Sequence, residues 1–160
     1  MSSQFISDIE KSINNKFNKH IEIIVTELNK FCPENIEAIF LYGGYGRGEG
    51  SWVIQGDNDG TLEVKPYNDY DIALVVSSKM VNSEVKKIEK ILKDKIAIKF
   101  IDISQYTISE LSELKPSIKN YDLKYASKYL YGDANVFDVI PSINPKELPL
   151  KDIETLFFTR

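Results

Sequence analysis

The chain has 160 residues and carries a formal net charge of −4, with 42% hydrophobic and 28% charged residues; that suits one domain with a real core and argues against a long nucleic acid as partner. A single cysteine and a single histidine exclude an internal disulfide framework and disfavour a zinc site or a Cys–His nucleophile pair. No apolar run approaches the roughly 18 residues of a membrane span, and the start, MSSQFISDIEKSINNKF, has no apolar leader, so no membrane association and a reducing cytoplasm are expected.

Phe5, Ile9, Ile13, Phe17, Ile21, Ile24, Leu28 and Phe31 recur every three or four residues. That spacing predicts one long amphipathic helix, or two broken near Asn14-Asn15, ended by Pro33. The run IEAIFLY (36–42) is short and apolar and meets Gly43-Gly44 at once, as a buried strand entering a tight turn does. WVIQGDNDGTLEVK (52–65) reads as a hairpin turning at Asp59-Gly60, and DIALVV (71–76) as a second core strand. SEVKKIEKILKD (83–94) has helical spacing, with a cap at Asn82 or Ser83. IAIKFIDI (96–103) alternates as a third strand, with Phe100 and Asp102 on one face. Helices over 107–114 and 117–130 follow, the second stopped by Gly132 and turning Tyr121, Tyr125, Tyr129 and Tyr131 to the core. A last helix opens near 149 and carries Leu156, Phe157 and Phe158, to be covered by the core, by a partner, or by the rest of a longer protein, of which this chain is expected to be a piece. The sum is an α+β, two-layer domain: a small mixed sheet with helices packed on it and an inserted hairpin. Three segments are expected: 1–34 helical, 35–115 the core, and 116–160 helical again.

Chemistry is concentrated at two strand ends. Gly43-Gly44-Tyr45-Gly46-Arg47-Gly48-Glu49-Gly50-Ser51 brings backbone N–H groups within reach of an anion, and Arg47 adds a guanidinium fork suited to phosphate. Glu49 stands where a Walker A lysine is needed, and no G-x-G-x-x-G can be drawn, so neither of those phosphate loops applies. Asn68-Asp69-Tyr70-Asp71 leads straight into an apolar strand. Residues two apart on a strand share a side, and paired carboxylates repel unless a hard cation such as Mg²⁺ or Mn²⁺ joins them. Asp57-Asn58-Asp59 has the same spacing but reads as hairpin turn. Asp102 would add a third carboxylate if its strand lies beside that of Asp71.

In this order, these motifs resemble the DNA polymerase beta-like nucleotidyltransferase superfamily: a strand, a Gly-Gly or Gly-Ser turn opening a helix, a strand with D-x-D, and a later strand with a third acid. The matching positions are Gly43, Gly44, Asp69, Asp71 and Asp102, and the resemblance covers about 36–103. It implies a nucleotide- and metal-binding transferase, ATP being one candidate donor, that moves a nucleoside monophosphate from a nucleoside triphosphate to a hydroxyl of a small molecule, a protein or an RNA end. Asp69, Asp71 and Asp102 would be the catalytic metal ligands, with Gly43, Gly44, Arg47 and Ser51 on the phosphates. Two departures stand out: Gly44 replaces the serine of many members, and 24 residues separate it from Asp69, more than is usual, the hairpin accounting for the excess.

The competing readings are a nucleotide-binding regulatory module without turnover, for which three retained acids are superfluous, and an interaction domain docking through its C-terminal cluster. Tyr45 and Trp52 are candidates for base stacking, though aromatic residues near a core turn more often pack. Lys99 could reach a phosphate or simply face solvent. His20, far in sequence from the motifs, is assigned no role, and the acceptor is not specified.

Overall fold

The structure is a computed structural model that describes residues 3–56 and 62–152. The proposed hairpin turn at Asp59-Gly60 and the cluster Leu156, Phe157 and Phe158 lie outside the described residues.

Helix α1 (Ser3–Phe31) is a single unbroken helix of 29 residues. Asn14 and Asn15 are solvent-exposed within it; each loses only about 0.7 kcal/mol of helix propensity, which the continuous stripe through Phe17, Ile24 and Leu28 outweighs. Strand β1 (Ile36–Tyr42) follows, then helix α2 (Gly43–Arg47) and the hairpin β2 (Trp52–Gly56) and β3 (Leu62–Pro66). Strand β4 (Tyr70–Val76), helix α3 (Asn82–Ile96) and strand β5 (Ile101–Tyr106) make a βαβ unit with β4 and β5 parallel.

The sheet is mixed, in the order β5-β4-β1-β6, with β1 antiparallel to both neighbours. Its faces part along the chain by period two. Ile39, Leu41, Tyr70, Ile72, Leu74, Ile101 and Ile103 pack under α1 and α3. Ala38, Phe40, Tyr42, Ala73 and Val75 pack under Leu111, Leu123, Val136 and Ile140 on the other side. Because β1 and β4 are covered on both faces, they read as apolar runs interrupted only by Glu37 and Asp71, each near the start of its strand.

Three expectations are corrected. The strand foreseen over 96–103 begins at Ile101, because Val85, Ile88, Leu92 and Ile96 continue the helical spacing of α3 to its end at Ala97, whose φ of +51° closes it. Phe100 therefore does not lie on an apolar strand face but is exposed, and Asp102 shares the polar side of β5 with Ser104 while Ile101 and Ile103 point to the core. The helix foreseen over 117–130 stops early: α5 (Ile118–Tyr125) is followed by strand β6 (Lys128–Gly132), which satisfies the open edge of β1. The segment beyond 116 is thus not all helical, and Tyr125, Tyr129 and Tyr131 are largely exposed rather than core-facing. Between β5 and α5 lies the short helix α4 (Ile108–Ser112), capped by Thr107 and Glu110. Edge strand β5 is secured from α3, where the buried Glu89 carboxylate accepts from the Ile103 N–H at 3.3 Å and pairs with Lys86 at 2.7 Å. No helix of the described residues is long and apolar enough to cross a membrane.

Candidate active site at the β1–α2 turn

Tyr42, Asp71 and Asp102 lie side by side across three neighbouring strands: Asp71 is in register with Tyr42 on β1 and with Asp102 on β5. All three belong to the face that α5 covers, at the end of the sheet where β1 finishes and β4 and β5 begin. Asp69 precedes β4 and is exposed. Its charge acts on Asp71, as does that of Asp102. Burial first, then these two neighbours, push the Asp71 carboxyl up to about 7, with partial relief from Lys119 and Arg47. The D-x-D motif and the third acid therefore form one electrostatic unit.

The turn is shaped around Asp71. Gly43 has a φ of +66°, and a Cβ there would fall on the Asp71 carboxylate oxygen Oδ2. Glycine is required twice, for the left-handed backbone and for the space that the carboxylate fills. Gly44 differs: nothing lies within 4 Å of where its Cβ would be, so a side chain would have room. Gly48, with a φ of +81°, ends α2 as its left-handed cap.

The remaining loop residues are placed more closely by the protein itself. Arg47 donates from Nε to Glu49 at 2.8 Å and from Nη1 to Asp122 on α5, so its fork is occupied by carboxylates, though its charge still reaches Asp71. The Ser51 N–H donates to Asn68 Oδ1 at 2.9 Å, beside Asp69, and the Ser51 carbonyl accepts from the Tyr45 hydroxyl at 2.6 Å. Tyr45 is buried, with its ring 4.6 Å from that of Tyr70 and 6.0 Å from that of Trp52; it is a core residue and not a platform for a base. Trp52 is half-buried against it and against His20. Lys99 lies over the exposed Phe100 ring, at 5.0 Å.

Lys119, Ser104 and Asp122 carry no signal of the site in the sequence alone. Lys119 on α5 donates to Ser104 Oγ at 2.9 Å, lies 5.7 Å over the Tyr42 ring and draws down the Asp71 pKa. Ser104 in turn contacts Asp102 and the Tyr42 hydroxyl, each at 3.3 Å, and Tyr42, buried among these acids, is pushed up to about 12. Lys119 and Asp122 are spaced three apart on one helix, which signals a shared face but not which strands that face meets. His20, given no role from sequence, is hydrogen-bonded through Nδ1 to the Tyr70 hydroxyl at 3.1 Å, and Tyr70 is the residue between Asp69 and Asp71.

A hard divalent cation suits this donor set, because a half-buried carboxylate flanked by two others is poorly tolerated as a bare anion. Among the described residues no group of three His, Cys, Asp or Glu side chains stands ready as a metal cage, so a cation would have to draw the carboxylates together.

No protein-family model matches the chain, and no curated protein matches it in sequence. Solved structures do match. A mutant of the toxin–antitoxin MntA-HpeT is 14% identical, over 86% of this chain and 86% of that one, with a TM-score of 0.50. A spectinomycin adenyltransferase from Enterococcus faecialis, solved with ATP and spectinomycin, is 16% identical over 86% of this chain, with a TM-score of 0.50; the match spans only 63% of that longer chain. A tri-AMPylated Shewanella oneidensis HEPN toxin in complex with an MNT antitoxin matches at 14% identity over 88% of this chain and 86% of that one, with a TM-score of 0.48. At these identities the likeness is one of fold, and the chain has the mixed α+β fold of the nucleotidyltransferases.

Proposed function

We propose that the chain is a nucleotidyltransferase that moves a nucleoside monophosphate from a nucleoside triphosphate to an acceptor hydroxyl. The observation that carries this reading is the fit of the Asp71 carboxylate into the space left by Gly43, with Asp102 beside it in register and Asp69 acting on it. That arrangement ties an acid cluster to a turn whose Gly43 and Gly44 N–H groups would meet the β and γ phosphates. Asp69, Asp71 and Asp102 would hold Mg²⁺ or Mn²⁺. When bound, the cation neutralises triphosphate charge and makes the acceptor hydroxyl more acidic. The hydroxyl oxygen would then form a bond to the α-phosphorus as the bond to the bridging oxygen breaks and pyrophosphate leaves, the hydroxyl proton passing to solvent. Lys119 and Arg47 supply positive charge near the developing anions. For Arg47 this requires release of Asp122 or Glu49; Ser51 would line the phosphate side.

A second reading, nucleotide binding without turnover, draws on Gly44, where the hydroxyl of many nucleotidyltransferases is missing and the space stands open. Calorimetric titration of the four nucleoside triphosphates with Mg²⁺, on wild type and on Asp69→Asn/Asp71→Asn, tests both. Metal-dependent binding lost in the double variant is the expected result, and pyrophosphate release with an acceptor separates transfer from mere binding. A folded wild type that binds none of the four would overturn the proposal.

A further inference from the structure

On the other face of the sheet, a cavity of about 460 Å³ lies between the middle of α1 and the end of α3. That volume is within the range of small-ligand sites. Its lining includes Lys16, Lys19 and Lys95, with Ser12 and Asn15 as further donors, and contains no carboxylate, in a chain whose net charge is −4. His20 is at its floor, 3% exposed. One ring nitrogen, Nδ1, is engaged by Tyr70. The other has no hydrogen-bond partner among the described residues, and none of their buried side-chain nitrogens or oxygens is left unpaired, so Nε2 keeps some accessible surface, and the space that His20 lines is this cavity.

Burial and the charges of Lys16 and Lys19 hold the His20 pKa down at about 4, so the ring is neutral at physiological pH. The Tyr70 hydroxyl, itself fully buried, has no other acceptor among the described residues. It therefore donates to Nδ1, which leaves the imidazole proton on Nε2, facing the cavity. Every polar side chain on this wall can then present a donor, and three of them carry full positive charge. Lys95 also pairs with Glu27 at 3.1 Å, and Lys16 acts on Glu63; neither acid lines the cavity, and Lys19 keeps its charge undivided by any ion pair among the described residues.

We propose that this cavity is a binding site for a small phosphate-bearing anion, held by Lys16, Lys19 and Lys95 around the His20 Nε2–H. Several donors along one wall match a group with several acceptor oxygens, and the volume fits a small molecule. The site is separate from the acid cluster, although His20 at its floor is hydrogen-bonded to Tyr70, the residue between Asp69 and Asp71.

The test uses the full chain in EDTA at low salt, titrated calorimetrically with inorganic phosphate and pyrophosphate, so that metal-dependent binding at the acid cluster is silent. Pyrophosphate should bind, and the double variant Lys16→Ala/Lys19→Ala should weaken it at least about tenfold, a loss of about 1.4 kcal/mol. Asp69→Asn/Asp71→Asn should leave it unchanged, and the His20 ring ¹⁵N resonances should move on titration in the wild type. Lack of pyrophosphate binding, binding indifferent to the two lysines, or citrate binding as tightly as pyrophosphate would each overturn the assignment. Because no metal or nucleotide is involved, this outcome is independent of whether the chain transfers nucleotides.

Discussion

Gly43→Ala is the substitution that most directly probes how the turn and the acid cluster depend on each other. The left-handed backbone at a φ of +66° costs an alanine about 1–2 kcal/mol relative to glycine. The new methyl would also overlap the Asp71 carboxylate, which is wedged between Tyr42 and Asp102 in register and has to rotate or shift. Overpacking of this kind costs roughly 1–3 kcal/mol, so the expected loss is about 2–5 kcal/mol. For a domain of this size that is a fall in Tm of roughly 5–15 °C. A double-mutant cycle separates the two parts. In an Asp71→Ala background the overlap is gone and only the backbone cost remains, so Gly43→Ala should there cost about 1–2 kcal/mol, with a coupling energy of at least about 1 kcal/mol. Urea unfolding of the four proteins, followed by circular dichroism, gives the values. Equal costs in the two backgrounds would refute the claim that the glycine is needed to seat Asp71.

Gly44→Ser should be tolerated or stabilising by about 0.5 kcal/mol, since its side chain enters open space on a helical residue, and should tighten Mg²⁺-nucleotide binding in a direct titration; loss of stability would contradict the open position. His20 should make the fold acid-sensitive: its folded pKa of about 4 lies below the ordinary value of 6.5, so the unfolded chain binds more protons between these pH values. The His20 contribution should be level above pH 6.5 and fall by up to about 3 kcal/mol towards pH 4, superposed on the opposite slope from Asp71, whose carboxyl is raised to about 7; the difference in urea unfolding between wild type and His20→Gln across this range isolates it. Arg47→Lys should not replace arginine, because one ammonium cannot span Glu49 and Asp122 as the fork does; thermal unfolding should show a loss of about 1 kcal/mol, and no change would show the bridge to be idle.

The legible parts of this chain are those in which local period and tertiary role agree. IEAIFLY and DIALVV are strands on both grounds, and the glycine turn is visible because only glycine tolerates what Gly43 must do. The misread segments are those where two periods overlap. Ile96, Ile98 and Phe100 alternate as a strand would, yet Ile96 is the last rung of a helical series begun at Val85, and the longer series wins because it is anchored in the core. Tyr129 continues the four-residue spacing of Tyr121 and Tyr125, so KYLYG reads as more helix; β6 exists because β1 offers it an unpaired edge, which no local pattern encodes. Asp102 is legible although the strand expected over 96–103 begins five residues later, at Ile101, and Phe100 lies outside it.

The same limit explains why Lys119 was missed while the acids were not. Asp69 and Asp71 stand out because charge at the mouth of an apolar strand is anomalous in sequence, whereas a lysine on a short helix is not. Its meaning comes from the packing of α5 across the sheet end, which brings Lys119 to Ser104 and Tyr42 and, one turn on, Asp122 to Arg47. One short helix thereby sets a cation beside the acid cluster and holds the arginine of the glycine loop. Any rotation of α5 about its axis would change both at once, so the charge balance around Asp71 is fixed by the segment after the motifs as much as by the motifs themselves.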